Sequence, residues 1–155
     1  MASENNKKLQ LVFAPILKAQ GFKKDGATWR KYYPETIGVV NIQGSQWGPQ
    51  FYVNLGVLFR DMDQNEKPRE YHCHIRLRLE GIVPDLARIN QLLDFDLPVP
   101  DEERSQELSA LVTHYAIPFL EQFSTQVGAR ESIHQYPFAA IRLGARKVLE
   151  LPSST

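Results

Sequence analysis

The chain of 155 residues suits one domain, residues 1–155, able to bury roughly 70% of the surface its unfolded form exposes. Hydrophobic residues at 43% and charged residues at 23% exclude the compositions of disordered and membrane chains. Eighteen Lys and Arg balance 18 Asp and Glu, so no global positive field draws the protein to nucleic acid or anionic membrane, and the single cysteine, Cys73, has no internal disulfide partner, which fits a reducing cytoplasm.

The first element is a helix over about Glu4 to Gln20. Leu9, Val12, Phe13, Ile16 and Leu17 follow helical spacing, and Gly21 stands where a left-handed cap ends a helix. Its apolar part is short and broken by Pro15, so it reads as a helix and not as a secretion signal. No stretch approaches the roughly 20 apolar residues that span a bilayer. The polar turn KKDGAT leads into strand-like runs at Thr28 to Tyr33, Thr36 to Gln46 and Phe51 to Arg60.

The last two runs define a hairpin. A four-residue turn, Trp47 to Gln50, pairs Gly44 with Val53, Ile42 with Leu55 and Val40 with Val57, and gathers the apolar residues on one face. The other face is polar, with Ser45 opposite Tyr52, Gln43 opposite Asn54 and Asn41 opposite Gly56.

The charged segment DMDQNEKPRE, Asp61 to Glu70, reads as an exposed loop. In the fourth strand, YHCHIRLRLEG, alternation puts Cys73, Ile75, Leu77 and Leu79 on one face and His72, His74, Arg76, Arg78 and Glu80 on the other. DLARINQLL then predicts a short helix and LPVP an extended linker. From Asp101 a stripe of Leu108, Leu111, Val112, Tyr115, Phe119 and Phe123 predicts a helix that Pro118 bends or divides. A last helix begins near Pro137, with Phe138, Ile141, Val148 and Leu149 inward. The order predicts an α+β domain: an N-terminal helix, a four-stranded antiparallel sheet, and C-terminal helices packed on one sheet face with the other face open.

Chemical motifs are weak. His72 and His74 point the same way on a strand, but two nitrogens are too few for zinc and the neighbouring Arg76 and Arg78 repel a cation. GFKKDGAT resembles a phosphate loop, yet Ala27 holds the lysine position and no helix follows. Gly44-Ser45 lacks the spacing of a nucleophile elbow. His114 and His134 have no adjacent carboxylate, and the Asp61, Asp63 and Asp94, Asp96 pairs do not extend into a calcium loop. Trp29, Tyr32, Tyr33, Trp47, Tyr52 and Tyr71 with Arg30, Lys31, Arg76 and Arg78 have the ingredients of a single-strand stacking platform, but the neutral charge balance argues against nucleic acid.

LKAQGFKKDGATWRKY, VVNIQGSQWG, FYVNLGV and HIRLRLE together resemble the family catalogued as domain of unknown function 4304, over about Leu17 to Glu80. The resemblance implies a compact bacterial α+β domain with no established activity, and it marks Trp29, Asn41, Gln43, Ser45, Trp47, Asn54 and Gly56 as a candidate shared surface. The expected function is a non-enzymatic, cytoplasmic binding domain. Its open face, with Asn41, Gln43, Ser45, Trp47, Tyr52, Asn54, His72, His74, Arg76 and Arg78, would contact an unknown partner protein, in an immunity-type role a toxin. The alternatives are an enzyme or small-ligand binder using the His/Arg face as a pocket, and a single-stranded nucleic-acid binder; no metal or cofactor is called for.

Overall fold

A computed structural model describes residues 3–152, so the two ends of the expected 1–155 span lie outside it. Helix α1, Glu4–Ala19, starts where Ser3 Oγ accepts from the Asn6 amide at 3.1 Å and runs unbroken through Pro15. It ends as expected at Gly21, with the Phe22 amide turned back onto the Leu17 carbonyl at 2.9 Å. Leu9, Phe13 and Leu17 on its inner face are fully buried.

The sheet has six antiparallel strands, not four, in the order β1 (Lys23–Asp25), β2 (Thr28–Tyr32), β3 (Thr36–Gly44), β4 (Phe51–Phe59), β5 (Ile75–Arg78) and β6 (Ala140–Ile141). The added strands are the outermost ones. KKDGAT is itself a hairpin, because Gly26 at φ +63° lets Asp25 pair directly with Thr28. Ala140–Ile141, expected in a helix, pairs with Arg76 and Ile75 and covers part of the β5 edge. Only Leu143–Val148 of that stretch is helical, and Phe138, expected inward, is 79% exposed.

The β3–β4 register also differs from expectation. Asn41 faces Asn54, Gln43 faces Tyr52, and Ile42 faces Val53, two residues away from the predicted pairing. The turn is longer: Ser45 donates its amide to the Gln50 carbonyl at 2.8 Å, and Ser45 Oγ accepts from the Trp47 amide at 3.1 Å. A distant segment holds this turn. Phe51 donates to Leu93 and Phe95 to Pro49, each at 3.0 Å, so the chain is pinned at residues 49–51, where β4 begins. Because the shift is by two, every side chain keeps its predicted face.

On one face of the sheet Trp29, Val40, Ile42, Val53, Leu55 and Val57 pack with α1 and with the later helices. These are α2 (Leu86–Leu92), α3 (Asp101–Leu111), α4 (Ile117–Gln122), α5 (Gln126–Ser132) and α6 (Leu143–Val148). Between α3 and α4 the chain makes a wide π-turn, Val112–Ala116, one residue ahead of Pro118, which has no amide to donate.

The opposite face is half covered, not open. Ile37, Val39, Leu58 and Cys73 form a second small cluster there, beneath the segment 61–74. Arg30, buried to 4% exposure, reaches into that cover with Nε on the Pro68 carbonyl at 2.8 Å and Nη1 on Asp25 at 3.0 Å. Cys73 was expected to share a face with Ile75. It lies on the other side because the strand starts only at Ile75, and residues 70–72 form a 3-10 turn that lays Cys73 across Gly56.

Candidate functional site

A row of polar side chains crosses the uncovered half of this face. The registers place Thr28 beside Asn41, Asn41 beside Asn54, and Asn54 beside Arg78, so four strands contribute one residue each. Their hydrogen bonds run in one direction. Arg78 Nε donates to Asn54 Oδ1 at 3.4 Å, Asn54 Nδ2 donates to Asn41 Oδ1 at 3.1 Å, and Asn41 Nδ2 donates to Thr28 Oγ1 at 3.0 Å. Asn54 Nδ2 also reaches Gln43 Oε1 at 2.9 Å, which orients the Gln43 amide with its NH2 group unused among the described residues. Such a chain polarises each successive donor.

Arg78 is held from below as well. Its guanidinium carbon lies 3.9 Å from the centre of the Tyr52 ring, a stacked cation–π contact. It makes no ion pair among the described residues. Arg76 differs: both Nε and Nη2 contact Glu70 Oε1 at 2.8 Å, so its charge is largely satisfied within the fold.

Beyond Arg78 the strand gives way to a 3-10 turn, Leu79–Gly81. Val53, the next residue of β4, is thereby left without a partner on the β5 side, and Glu80 Oε1 accepts from its amide at 3.2 Å. The carboxyl is almost wholly buried. Burial pushes it up to about 7, against the lowering effect of the backbone amides and of Arg78.

These residues border a cleft of about 820 Å³. Its polar lining is Gln43, Asn54, Glu70, Arg76, Arg78 and Glu80, from the strands and the turns flanking β5. Its apolar lining comes from Leu77, from Val83 and Leu86 after β5, and from Phe138 and Ala140 where the chain approaches β6. Phe138 and Leu86 are exposed, so the cleft keeps a free hydrophobic rim.

The structure thus brings together Gln43, Asn54, Arg76 and Arg78 in the cleft, with Asn41 and Tyr52 supporting them from the same face. Ser45 and Trp47 lie apart, in the hairpin tip, where Trp47 is 88% exposed. His74 does not join the surface. It is buried, its Nδ1 accepts from the Phe59 amide at 2.9 Å, and burial followed by the charge of Arg142 holds its pKa below the usual value. His72 sits in the 3-10 turn with Nδ1 accepting from the Arg69 amide at 3.0 Å. The expected line of four side chains fails because alternation requires a strand, and the strand begins after both histidines.

Glu70, Glu80, Leu86 and Phe138 are among the cleft residues that the sequence-derived binding set does not contain. The raised chemistry of Glu80 arises from a contact with β4, and nothing local in Leu79-Glu80-Gly81 announces it. Among the described residues no group of three or more His, Cys, Asp or Glu is placed to hold a metal ion. No described helix is long and apolar enough to cross a membrane.

Fold and site together define an α+β domain built on one antiparallel meander, with helices on one face and a half-covered polar face ending in a cleft. A family profile described as "Domain of unknown function (DUF4304)" matches residues 13–122, and the chain belongs to that family. No curated protein and no solved structure matches it.

Proposed function

We propose that the protein is a binding domain without catalytic chemistry of its own, holding a partner protein on the part of the sheet face that residues 61–74 leave uncovered. The observation that carries this reading is Arg78, fixed by Tyr52 and Asn54 yet without an ion-pair partner among the described residues. A preorganised guanidinium beside the exposed Phe138 and Leu86 has the make-up of an interface anchor, where a carboxylate and an apolar side chain are taken up together. Both histidines expected on this face, His72 and His74, are engaged by backbone amides, which favours binding over acid–base work. An immunity-type role in the cytoplasm, neutralising a toxin, is the concrete form of this proposal. The cleft volume favours a second reading, a small-ligand pocket, because about 820 Å³ falls in the range of ligand sites.

Arg78→Ala tests the first reading more cleanly than a double change with Arg76, whose loss strands Glu70. The partner that accompanies the wild-type protein from its native cell is remade and titrated against both forms, with matching circular dichroism as the folding control. Binding at least about tenfold weaker in Arg78→Ala is expected for one interfacial charge-assisted contact. Equal affinity removes this face from consideration.

A further inference from the structure

The open polar side-chain groups of the cleft are unequal in kind. Asn54 spends its amide on Asn41 and Gln43, Arg76 is held by Glu70, and Glu80 Oε1 is held by Val53. Among the described residues, what is left to offer is mostly donors, the two terminal nitrogens of Arg78 and the NH2 group of Gln43, against one remaining carboxyl oxygen each on Glu70 and Glu80. Across from these donors in character, Val83, Leu86 and Phe138 supply apolar surface and no hydrogen-bonding side chain.

A polypeptide segment brings a donor and an acceptor at every residue, and its donors would find few open acceptors here. A molecule that is apolar apart from one anionic group fits better, since its anion meets the donors and the remainder meets only apolar surface. We infer that the cleft binds a small amphipathic carboxylic acid, its carboxylate on Arg78 and Gln43 and its hydrocarbon body against Phe138, Leu86 and Val83. This rests on the reading of the cleft as the binding surface, and not on the partner's being a protein.

Glu80 makes the site sensitive to pH. The charged side chains lining the cleft are Glu70, Arg76, Arg78 and Glu80, and the residues contributed by the α2 and β6 ends, Leu86, Phe138 and Ala140, carry no charge. Glu70 is neutralised by Arg76. Glu80 is therefore the group whose ionisation sets a second negative charge beside the bound carboxylate, and its carboxyl titrates at about 7. Binding favours the protonated Glu80, so affinity rises as pH falls through neutrality, by at most about tenfold from pH 8 to pH 6.

The probe is octanoate, titrated into the full chain by calorimetry at pH 6 and pH 8, beside 1-octanol, octylamine and an end-capped peptide carrying one Glu between leucines. The expected result is one octanoate per chain, tighter at pH 6, with octanol and octylamine at least about tenfold weaker. Arg78→Ala should remove the preference for octanoate over octanol, and Phe138→Ala, at an exposed position that leaves the fold intact, should weaken both. Glu80→Gln keeps an oxygen for the Val53 amide and should bind octanoate equally at both pH values. Octanol binding as tightly as octanoate, no octanoate binding at either pH, or octanoate unaffected by Arg78→Ala overturns the assignment. Tighter binding of the peptide than of octanoate overturns it too, while leaving the partner-protein reading in place; failure of octanoate with Arg78-dependent partner binding does the same.

Discussion

Glu80 stands where a strand carbonyl would accept from Val53, and the cost of that position shows in its chemistry. Its folded pKa lies above the ordinary carboxylate value, so the native state holds the proton more tightly than the unfolded chain does. Stability from this group is accordingly greatest in acid and falls as pH rises from about 4.5 to about 7. Glu80→Gln should remove that fall. Urea titrations at pH 5 and pH 8 should show the variant gaining on the wild type at the higher pH by on the order of 3 kcal/mol, and much less at the lower. A gain independent of pH would mean the carboxyl is not the cause. Gly56 illustrates a different residue-scale constraint, a close approach. A Cβ there would lie 2.6 Å from Cys73 Sγ and 3.0 Å from its Cβ, so Gly56→Ala must displace the cover that Cys73 anchors. Destabilisation of about 1–3 kcal/mol is expected, reduced when Cys73→Ala is combined with it. Additive effects in that double-mutant cycle would contradict the contact.

At the scale of elements, the hairpin tip and the linker after α2 depend on each other. Gln50 bonds Asp94 at 3.0 Å, and main-chain bonds join 49–51 to 93–95, so the linker sets where the turn stops and β4 starts. Arg104 of α3 holds that linker in turn. Its guanidinium stacks 4.0 Å over Phe95 and donates to the carbonyls of Leu92, Asp94, Leu97 and Val99. Lysine has one point of charge and no planar fork, so Arg104→Lys cannot reproduce the stack and the spread of donors. A loss of about 2–3 kcal/mol is expected, with faster proteolysis between residues 92 and 99. Unchanged protease resistance of that linker would show that Arg104 is not its clamp. The expected extended linker was legible from LPVP, but its clamp was not, because an arginine among Asp101-Glu102-Glu103 reads as one more exposed helix charge.

For the molecule as a whole, the family match ends at residue 122 while the core does not. Ala129, Ile133, Ala145 and Leu149 are buried in the same cluster as Phe13 and Leu55, and β6 shields part of the β5 edge. A chain ending at Gln122 should therefore melt at least about 10 °C lower than the full chain, or fail to fold, and should associate through the uncovered strand edge. An equally stable, monomeric truncated chain in calorimetry and sedimentation would mean that the C-terminal elements only decorate the fold. Those same elements carry Phe138 into the cleft rim, so the domain and its candidate site are completed together.

What the amino-acid sequence determined by itself was whatever repeats locally. Helical spacing in Leu9, Phe13 and Leu17 and alternation in Val40-Asn41-Ile42-Gln43 predict α1 and the two faces of the hairpin, because side-chain direction follows directly from backbone period. The amide row and Arg78 were legible for the same reason. The tertiary structure alone decided the register, the number of strands, the cover over half the polar face and the burial of His74 and Glu80. Each depends on a partner distant in sequence: Leu93 for the turn, Ala140 for the strand edge, Phe59 for His74 and Val53 for Glu80. A short strand or a buried titrating group owes its state to hydrogen bonds and desolvation supplied by those neighbours, and local pattern contains no record of which neighbour will arrive.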